Sequence, residues 1–143
     1  MTALPDLIVR LEACEGPSRE LDLEIERAKV GPDWDIYVVD AVPALLMSAR
    51  AMMRPAGSAD EGTHVRVGDY TSSVDSALTL VPEGWRVVFA QWDPEGAEVT
   101  LGTMLGAYAY HNETARTPAL ALCIASLRAR LAQESDVQRL EGE

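Results

Sequence analysis

Few side chains in this chain of 143 residues have the types and spacing that catalysis or metal binding requires. The two histidines, His64 and His111, have no other Cys or His at the spacing of metal ligands, and a zinc site needs three or four such ligands. Ser72, Ser73 and Asp75 lie close together in the sequence, but a helix N-terminal cap explains them without any chemistry. The sequence therefore predicts no catalytic residue, no cofactor and no metal site.

Two pairs of acidic residues are the remaining candidates for a cation site. Glu24 and Glu26 lie in a segment with helical periodicity, where side chains two positions apart point about 200° away from each other. Asp33 and Asp35 share one side of a predicted strand, but no third ligand follows nearby. We interpret both pairs as solvated surface charge.

Two groups of residues are candidates for binding a protein partner. Tyr108 and Tyr110 share one face of a predicted strand, and with Trp92 they are expected to form an aromatic patch wherever no helix covers them. Met53 and Arg50 lie in a segment rich in methionine, whose flexible side chain suits protein binding. Packing in the core is the alternative for both groups, because aromatic residues and methionines also fill protein interiors.

The chain is strongly acidic, since 12 basic residues against 23 acidic residues give a formal net charge of −11. This charge argues against direct binding of nucleic acid or of an anionic membrane, because both need Lys and Arg to neutralise phosphate. No apolar run approaches the roughly 20 residues that span a bilayer. An acidic surface instead favours a basic protein as the partner.

The two cysteines, Cys14 and Cys123, lie far apart in segments with helical periodicity. A secreted chain of this size that relied on disulfides would normally carry more cysteines at closer spacing. We therefore expect two reduced, buried thiols and a cytoplasmic location.

Hydrophobic periodicity and capping residues predict five helices. Ser18 is the expected N-cap of the second helix, and Thr117 is that of the last. Thr71 or Ser72 is expected to cap the fourth helix. The predicted helical ranges are 4–14, 19–30, 40–54, 72–81 and 118–133, and the tail 134–143 is expected to fray.

The predicted strands are rich in β-branched and aromatic residues; they lie at 34–39, 85–92, 97–104 and 107–111, with a short one at 64–67. Both sides of segment 85–92 are apolar, which is typical of a sheet covered on both faces. Asp93 to Gly96 has the composition of a β-turn. The sequence therefore predicts one α+β domain over residues 1–143, an antiparallel β-meander of three to four strands with helices on both faces, similar to an α/β/α sandwich.

Three stretches of the chain are distinctive: GPSRELD at 16–22, YTSSVDSALTLVPEGW at 70–85 and TPALALCIA at 117–125. Together and in this order they resemble the small phage and prophage proteins of the phage ABA sandwich domain family. The resemblance implies a sheet between helical layers and an origin in a phage or prophage genome, and no catalytic residue is carried over from it. Residues 33–69 differ from the family pattern, and we interpret them as an insertion.

Charge, size and resemblance together predict a non-enzymatic phage accessory protein in the cytoplasm of the bacterial host. We expect it to act by protein–protein binding, as an acidic inhibitor of a basic host-defence or nucleic-acid-handling protein. The alternative is a structural or assembly protein of the phage that self-associates as a homo-oligomer. A third class, a small-molecule-binding or hydrolytic enzyme, would be favoured by a deep pocket lined by Asp33, Asp35 or His64.

Overall fold

The computed structural model describes residues 3–39, 50–59, 61–103 and 109–141 of the chain. These residues form four helices and two antiparallel sheets of three strands each, which confirms the predicted α+β class. In chain order the elements are α1 (Leu4–Glu12), α2 (Arg19–Val30), β1 (Trp34–Val39), β2 (Arg50–Pro55), β3 (Thr63–His64), α3 (Val74–Leu78), β4 (Trp85–Asp93), β5 (Gly96–Thr103), β6 (Ala109–Ala115) and α4 (Pro118–Glu141).

Helices α1 and α2 form where the sequence predicts them, because each combines an apolar stripe with a clear end signal. The stripe of α1 consists of Leu7, Ile8 and Leu11, which are all buried. The hydroxyl of Ser18 accepts a hydrogen bond from the backbone N–H of Leu21 at 3.2 Å, so Ser18 is confirmed as the N-cap of α2. Helix α1 ends two residues earlier than predicted.

The first sheet, in the order β1-β2-β3, corrects the prediction of a helix over 40–54. The last residues of the predicted helix belong instead to strand β2. Residues 40–49 lie outside the described part of the chain. Strand β2 pairs antiparallel with β1 along its whole length, beginning with Trp34 opposite Pro55. An apolar spacing that fits a helix also fits a strand, and pairing with the β-branched and aromatic residues of β1 decides between them.

Side-chain contacts join the first sheet to α2 and join two of its strands to each other. Nε and Nη2 of Arg27 both donate to the carbonyl oxygen of Ile36, at 3.1 and 3.0 Å. On β2, the guanidinium of Arg54 lies 4.5 Å from the ring centroid of Tyr37 and 3.5 Å from a carboxylate oxygen of Asp35. The third strand of this sheet is short and begins one residue before the predicted range.

The second sheet is the predicted meander, in the order β4-β5-β6. Its register contains one irregularity that the sequence does not reveal. Val87 lies opposite Leu101 and Phe89 lies opposite Thr100, so Val88 is the extra residue of a β-bulge. Side chains that follow the bulge therefore change face relative to those that precede it.

This bulge explains why both sides of β4 are apolar in the sequence. Three buried side chains of β5 point to one face: Ala97, Val99 and Leu101. Their partners on β4 are Trp92, Ala90 and Val87, in that order. Because paired residues share a face, these β4 residues all lie on the side of helix α4, although strict alternation would separate Val87 from Ala90. The opposite face carries Phe89, which is exposed. Among the described elements, α4 packs on the face of the meander that carries Leu101.

Helix α4 is the centre of the core. Every residue from 119 to 127 is buried, because α4 packs against β5 and β6 on one side and against α1 and α3 on the other. The predicted cap is confirmed, since the hydroxyl of Thr117 accepts a hydrogen bond from the backbone N–H of Leu120 at 3.2 Å. The layers thus follow the order sheet, α4, then α1 and α3.

The last helix is longer than predicted. It runs to Glu141, where the sequence predicts a frayed tail after Gln133. No Pro or Gly interrupts this stretch, so its residues can continue the helix. Among the helices in the described ranges, none is both long and apolar enough to cross a bilayer.

Candidate functional site

The three stretches that carry the family resemblance meet in a polar cluster between α2 and the segment before α3. Oδ1 of Asp22 accepts hydrogen bonds from the backbone N–H and the hydroxyl of Thr71, both at 2.8 Å. Nη1 of Arg19 donates to the other carboxylate oxygen of Asp22 at 2.9 Å. The third stretch joins through Cys123, whose thiol donates to the carbonyl oxygen of Tyr70 at 3.2 Å.

A second buried carboxylate, that of Glu26, extends this cluster. Its Oε1 accepts hydrogen bonds from the hydroxyl of Tyr70 at 3.0 Å and from the backbone N–H of Gly68 at 3.4 Å. Burial raises the pKa of the Tyr70 phenol, and the negative charge of Glu26 raises it further. The prediction that Glu24 and Glu26 are both solvated is therefore wrong for Glu26, which is buried.

The two serines considered for catalysis and the buried thiol of Cys123 have structural partners. The hydroxyl of Ser73 accepts from the backbone N–H of Ser76 at 3.2 Å, so Ser73 is the N-cap of α3, one or two residues after the predicted cap. The hydroxyl of Ser72 donates to the carbonyl oxygen of Asp69 at 3.3 Å. Burial raises the pKa of the Cys123 thiol. The thiol therefore stays in its protonated form, which is a poor nucleophile.

The region of Asp33 and Asp35 contains a depression of about 320 Å³. Asp35 lines it, together with Trp34 and Arg27, but the carboxylate of Asp35 lies 3.5 Å from Nε of Arg54. His64 is exposed on β3. Within the described ranges no three side chains of His, Cys, Asp or Glu are grouped so that they could hold a metal ion.

The hairpin of β4 and β5 has a well-defined turn. Oδ1 of Asp93 accepts hydrogen bonds from the backbone N–H groups of Glu95 and Gly96, at 2.8 and 3.1 Å. This confirms the predicted turn, because an Asp side chain at its first position bonds to the backbone two and three residues later. The turn fixes the direction in which the end of the hairpin projects.

Strand β4 is the exposed element of the meander. It forms an edge of the second sheet, and seven of its nine residues are exposed. Three of these are large and apolar: Val88 is 43 % exposed, Phe89 45 % and Trp92 63 %. Because α4 packs over β5 and β6, the Trp92 end of β4 stays uncovered although it lies on the helix-facing side.

Trp92, Asp93, Glu95 and Glu98 lie together at the end of the hairpin, and we call them the acidic hairpin end. Trp92 is on the helix-facing side of the sheet, whereas Asp93 and Glu98 are on the other side. A groove of about 400 Å³ runs between these residues and Arg116. The carboxylate of Glu98 accepts a hydrogen bond from a side-chain N–H of Asn112 at 2.8 Å, which holds it in place. The sequence contains the signal for this site, since a tryptophan directly precedes an acidic turn.

The structure separates the residues of the predicted aromatic patch. Trp92 pairs with Ala97 near the turn, whereas Tyr110 pairs with Gly102 near the other end of the sheet. Tyr108 lies outside the described residues, as does the side chain of Tyr110. Trp92 is thus the one residue of the predicted patch whose side-chain exposure the described part of the structure shows.

The predicted pair of Arg50 and Met53 lies on strand β2 and not on a helix. Met53 is half-buried and lies between Ile36 on β1 and Thr63 on β3. Arg50 is opposite Val39, and its side chain lies outside the described part of the structure. The two residues therefore belong to a strand, whereas the sequence predicts them on a helix.

Comparisons of the chain with protein-family models, with curated proteins and with solved structures find no match. The resemblance to the phage ABA sandwich domain family thus stays a prediction that rests on the three stretches named above.

Proposed function

We propose that this protein acts without catalysis, by binding a basic protein surface with its acidic hairpin end. The observation that carries the proposal is Trp92, which is 63 % exposed and lines the same groove at the hairpin end as Asp93, Glu95 and Glu98. An exposed tryptophan offers a large apolar area to a partner, and tryptophan is among the residues that most often dominate binding energy. The carboxylates that line the same groove favour a partner with Lys and Arg at its binding surface.

A non-enzymatic role is supported by the way in which the chemically capable groups are used. Cys123 is buried, and the hydroxyl of Ser73 caps a helix. Asp22 and Glu26 hold backbone and hydroxyl groups of the segment at 67–71. These side chains stabilise the fold, whereas the carboxylates of Asp93 and Glu98 at the acidic hairpin end bond to the turn and to Asn112 on the protein surface.

In the phage setting that the family resemblance implies, the partner class is a basic host-defence or nucleic-acid-handling protein. The carboxylates of the hairpin end would occupy positions that phosphates take in a positively charged groove. The net charge of −11 would speed such an encounter over long distances. The protein would then inhibit its partner by competing with nucleic acid.

Capture from a bacterial lysate tests this proposal. Four immobilised proteins are compared: the wild type, Trp92→Ala, the double variant Glu95→Gln/Glu98→Gln, and the control Asp75→Asn/Glu83→Gln. The control removes two charges from exposed residues away from the hairpin end. We expect the wild type and the control to capture the same basic protein, and the other two variants to lose most of it.

Salt provides the second arm of this experiment. At about 0.5 M salt the Debye length falls to roughly 4 Å, so the attraction between the carboxylates and a basic partner should largely disappear. Equal capture by all four proteins, or capture that salt leaves unchanged, contradicts the proposal.

A further inference from the structure

Within the described ranges, no strand pairs with the edge of β4 that faces away from β5. We propose that β4 pairs antiparallel with β4 of a second copy of this chain, which joins two three-stranded meanders into one six-stranded sheet. This interface uses the edge of the strand. It goes beyond the partner binding proposed for the acidic hairpin end.

The edge of β4 is long and has few of the features that keep sheet edges apart. The strand has nine residues, against a typical five or six. Exposed edges are usually protected by charges within the strand, by proline or by a β-bulge, and of these β4 has the bulge at Val88. In β4 the six residues between Arg86 and Asp93 carry no charge, and none is proline. Such an edge is suited to pairing with another strand.

The bulge decides which registers are possible. A two-fold antiparallel pair must place side chains of one face opposite side chains of the same face. With Val88 in the bulge, the helix-facing residues of β4 are Trp85, Val87, Ala90 and Trp92, and those of the other face are Arg86, Phe89, Gln91 and Asp93. A pairing centred on Ala90 satisfies the condition. It sets Ala90 opposite itself, Phe89 opposite Gln91, Val87 opposite Trp92 and Arg86 opposite Asp93.

The charges of β4 favour this register. Arg86 and Asp93 are its only charged residues, and the pairing centred on Ala90 places each opposite the other in the second copy, twice per dimer. Arg86 is exposed and has no ion-pair partner within the described ranges. Asp93 is held at the strand end by its hydrogen bonds to the turn.

Neighbouring registers lack this match. A pairing centred on Phe89 sets Arg86 opposite Gln91 and leaves Asp93 beyond the paired region. A pairing centred on Gln91 places Asp93 opposite Phe89 and leaves Arg86 without a partner. A slip by a single position sets the two faces against each other. The bulge and the two charges together therefore select one alignment.

The dimer includes Trp92 and Asp93 of each acidic hairpin end in the paired strands and leaves Glu95 and Glu98 accessible. Because the central strands run antiparallel, the two turns lie at opposite ends of the pair, with Glu95 and Glu98 outside the paired region. A single strand pair is small beside a standard interface of about 1,200–2,000 Å², and each copy has a charge of −11. We therefore expect a reversible dimer and not a permanent one.

Sedimentation equilibrium of the full chain, from about 1 µM to about 1 mM, tests the pairing. The variants are Arg86→Asp, Asp93→Arg and the double variant with both changes, and Arg66→Asp is the control. Arg66 is exposed on a loop outside β4. Its substitution by Asp changes the net charge by the same amount as Arg86→Asp but leaves the proposed interface intact. Circular dichroism verifies that each variant is folded.

We expect the wild type and Arg66→Asp to dimerise equally. Each single change in β4 should raise the dissociation constant by at least about tenfold, because two attractive pairs become two repulsive pairs. The double variant should recover to within roughly threefold of the wild type, since the pairs are restored with exchanged signs. The double variant, like Asp93→Arg, lacks the carboxylate that accepts hydrogen bonds in the turn. Recovered dimerisation in the double variant therefore cannot be explained by a repaired turn.

A wild type that stays monomeric throughout overturns the proposal. So does a dimer that Arg86→Asp weakens no more than Arg66→Asp, or a double variant no better than its single parents. The proposed binding of a basic protein is judged separately, by its loss in Glu95→Gln/Glu98→Gln. That loss is expected whether the chain dimerises or not, so the two proposals can fail independently.

Discussion

Asp22 and Thr71 are joined by two hydrogen bonds across 49 positions of the chain. Oδ1 of Asp22 lies 2.8 Å from both the backbone N and the hydroxyl oxygen of Thr71, and both side chains are almost completely buried. Arg19 neutralises the carboxylate from the surface side. A buried charge that is paired and fully hydrogen-bonded in this way fixes α2 against the segment that leads into α3.

Removing this carboxylate should destabilise the fold. We expect Asp22→Ala to lower the free energy of unfolding by about 2–3 kcal/mol, because the N–H and hydroxyl of Thr71 are left buried without an acceptor. Glu20→Ala is the control, since Glu20 lies in the same helical turn but is exposed; its effect should stay within about 0.5 kcal/mol. Urea unfolding followed by circular dichroism measures both. Equal losses in the two variants would show that the pair with Thr71 contributes nothing specific.

The packing of β5 against α4 gives a second prediction. Leu101 is fully buried in the core cluster, so Leu101→Ala should cost about 2–4 kcal/mol through lost burial and the cavity that remains. Leu78→Ala is the matched control, because Leu78 is 42 % exposed. Thermal or urea unfolding of both variants distinguishes them. A similar cost for the two substitutions contradicts the position of β5 in the core.

The two thiols should differ in reactivity. Cys14 is half-buried near the end of α1, whereas Cys123 is buried within α4 and its pKa is raised by burial. With Ellman's reagent, we expect the folded protein to show one faster thiol and one that reacts only when the protein unfolds. Cys14→Ser should remove the fast phase and Cys123→Ser should leave it unchanged. A fast phase that survives in Cys14→Ser would place Cys123 within reach of solvent.

Glu113 should make stability fall as the pH rises. Burial raises the pKa of its carboxyl above the ordinary 4.5, Arg128 opposes this shift and Glu12 adds to it. The folded state then holds the proton to higher pH than the unfolded state, so stability is lost as the pH rises from that ordinary value through the raised pKa. Relative to the wild type, Glu113→Gln should therefore gain stability between about pH 4 and about pH 7.

Urea unfolding of Glu113→Gln at both pH values tests this sign, with Glu95→Gln as a control at an exposed glutamate. The quantity to compare is the difference in free energy of unfolding between Glu113→Gln and the wild type, at about pH 4 and at about pH 7. The variant loses the contact with Arg128 at both pH values, so a change in this difference reports the titration of Glu113. A difference that moves the other way contradicts the raised pKa.

Local signals in the sequence predict the parts of this fold that local chemistry decides. Ser18 and Thr117 cap the helices for which the sequence predicts them, and Asp93 forms the predicted turn. Strands β1 and β4 lie where β-branched and aromatic residues are concentrated. The caps and the turn are decided by hydrogen bonds between residues two or three positions apart, and the two strands are indicated by their residue types.

Interactions between distant segments decide the rest. The apolar spacing around Met52 and Met53 suits both a helix and a strand, and pairing with β1 makes it a strand. Asp22 and Glu26 are typical surface residues by their helical positions, yet partners more than 40 positions away bury them. At the candidate site, the exposure of Trp92 depends on which strands α4 covers.

By itself, then, the sequence determines the charge of the chain, its α+β class and most of its helices and strands, because these follow from composition and short-range periodicity. Only the tertiary structure decides which faces are covered. The bulge at Val88 reverses the alternation of β4, and the position of α4 over β5 and β6 leaves that edge exposed. Both depend on the pairing register, which a single extra residue changes and which no local pattern specifies.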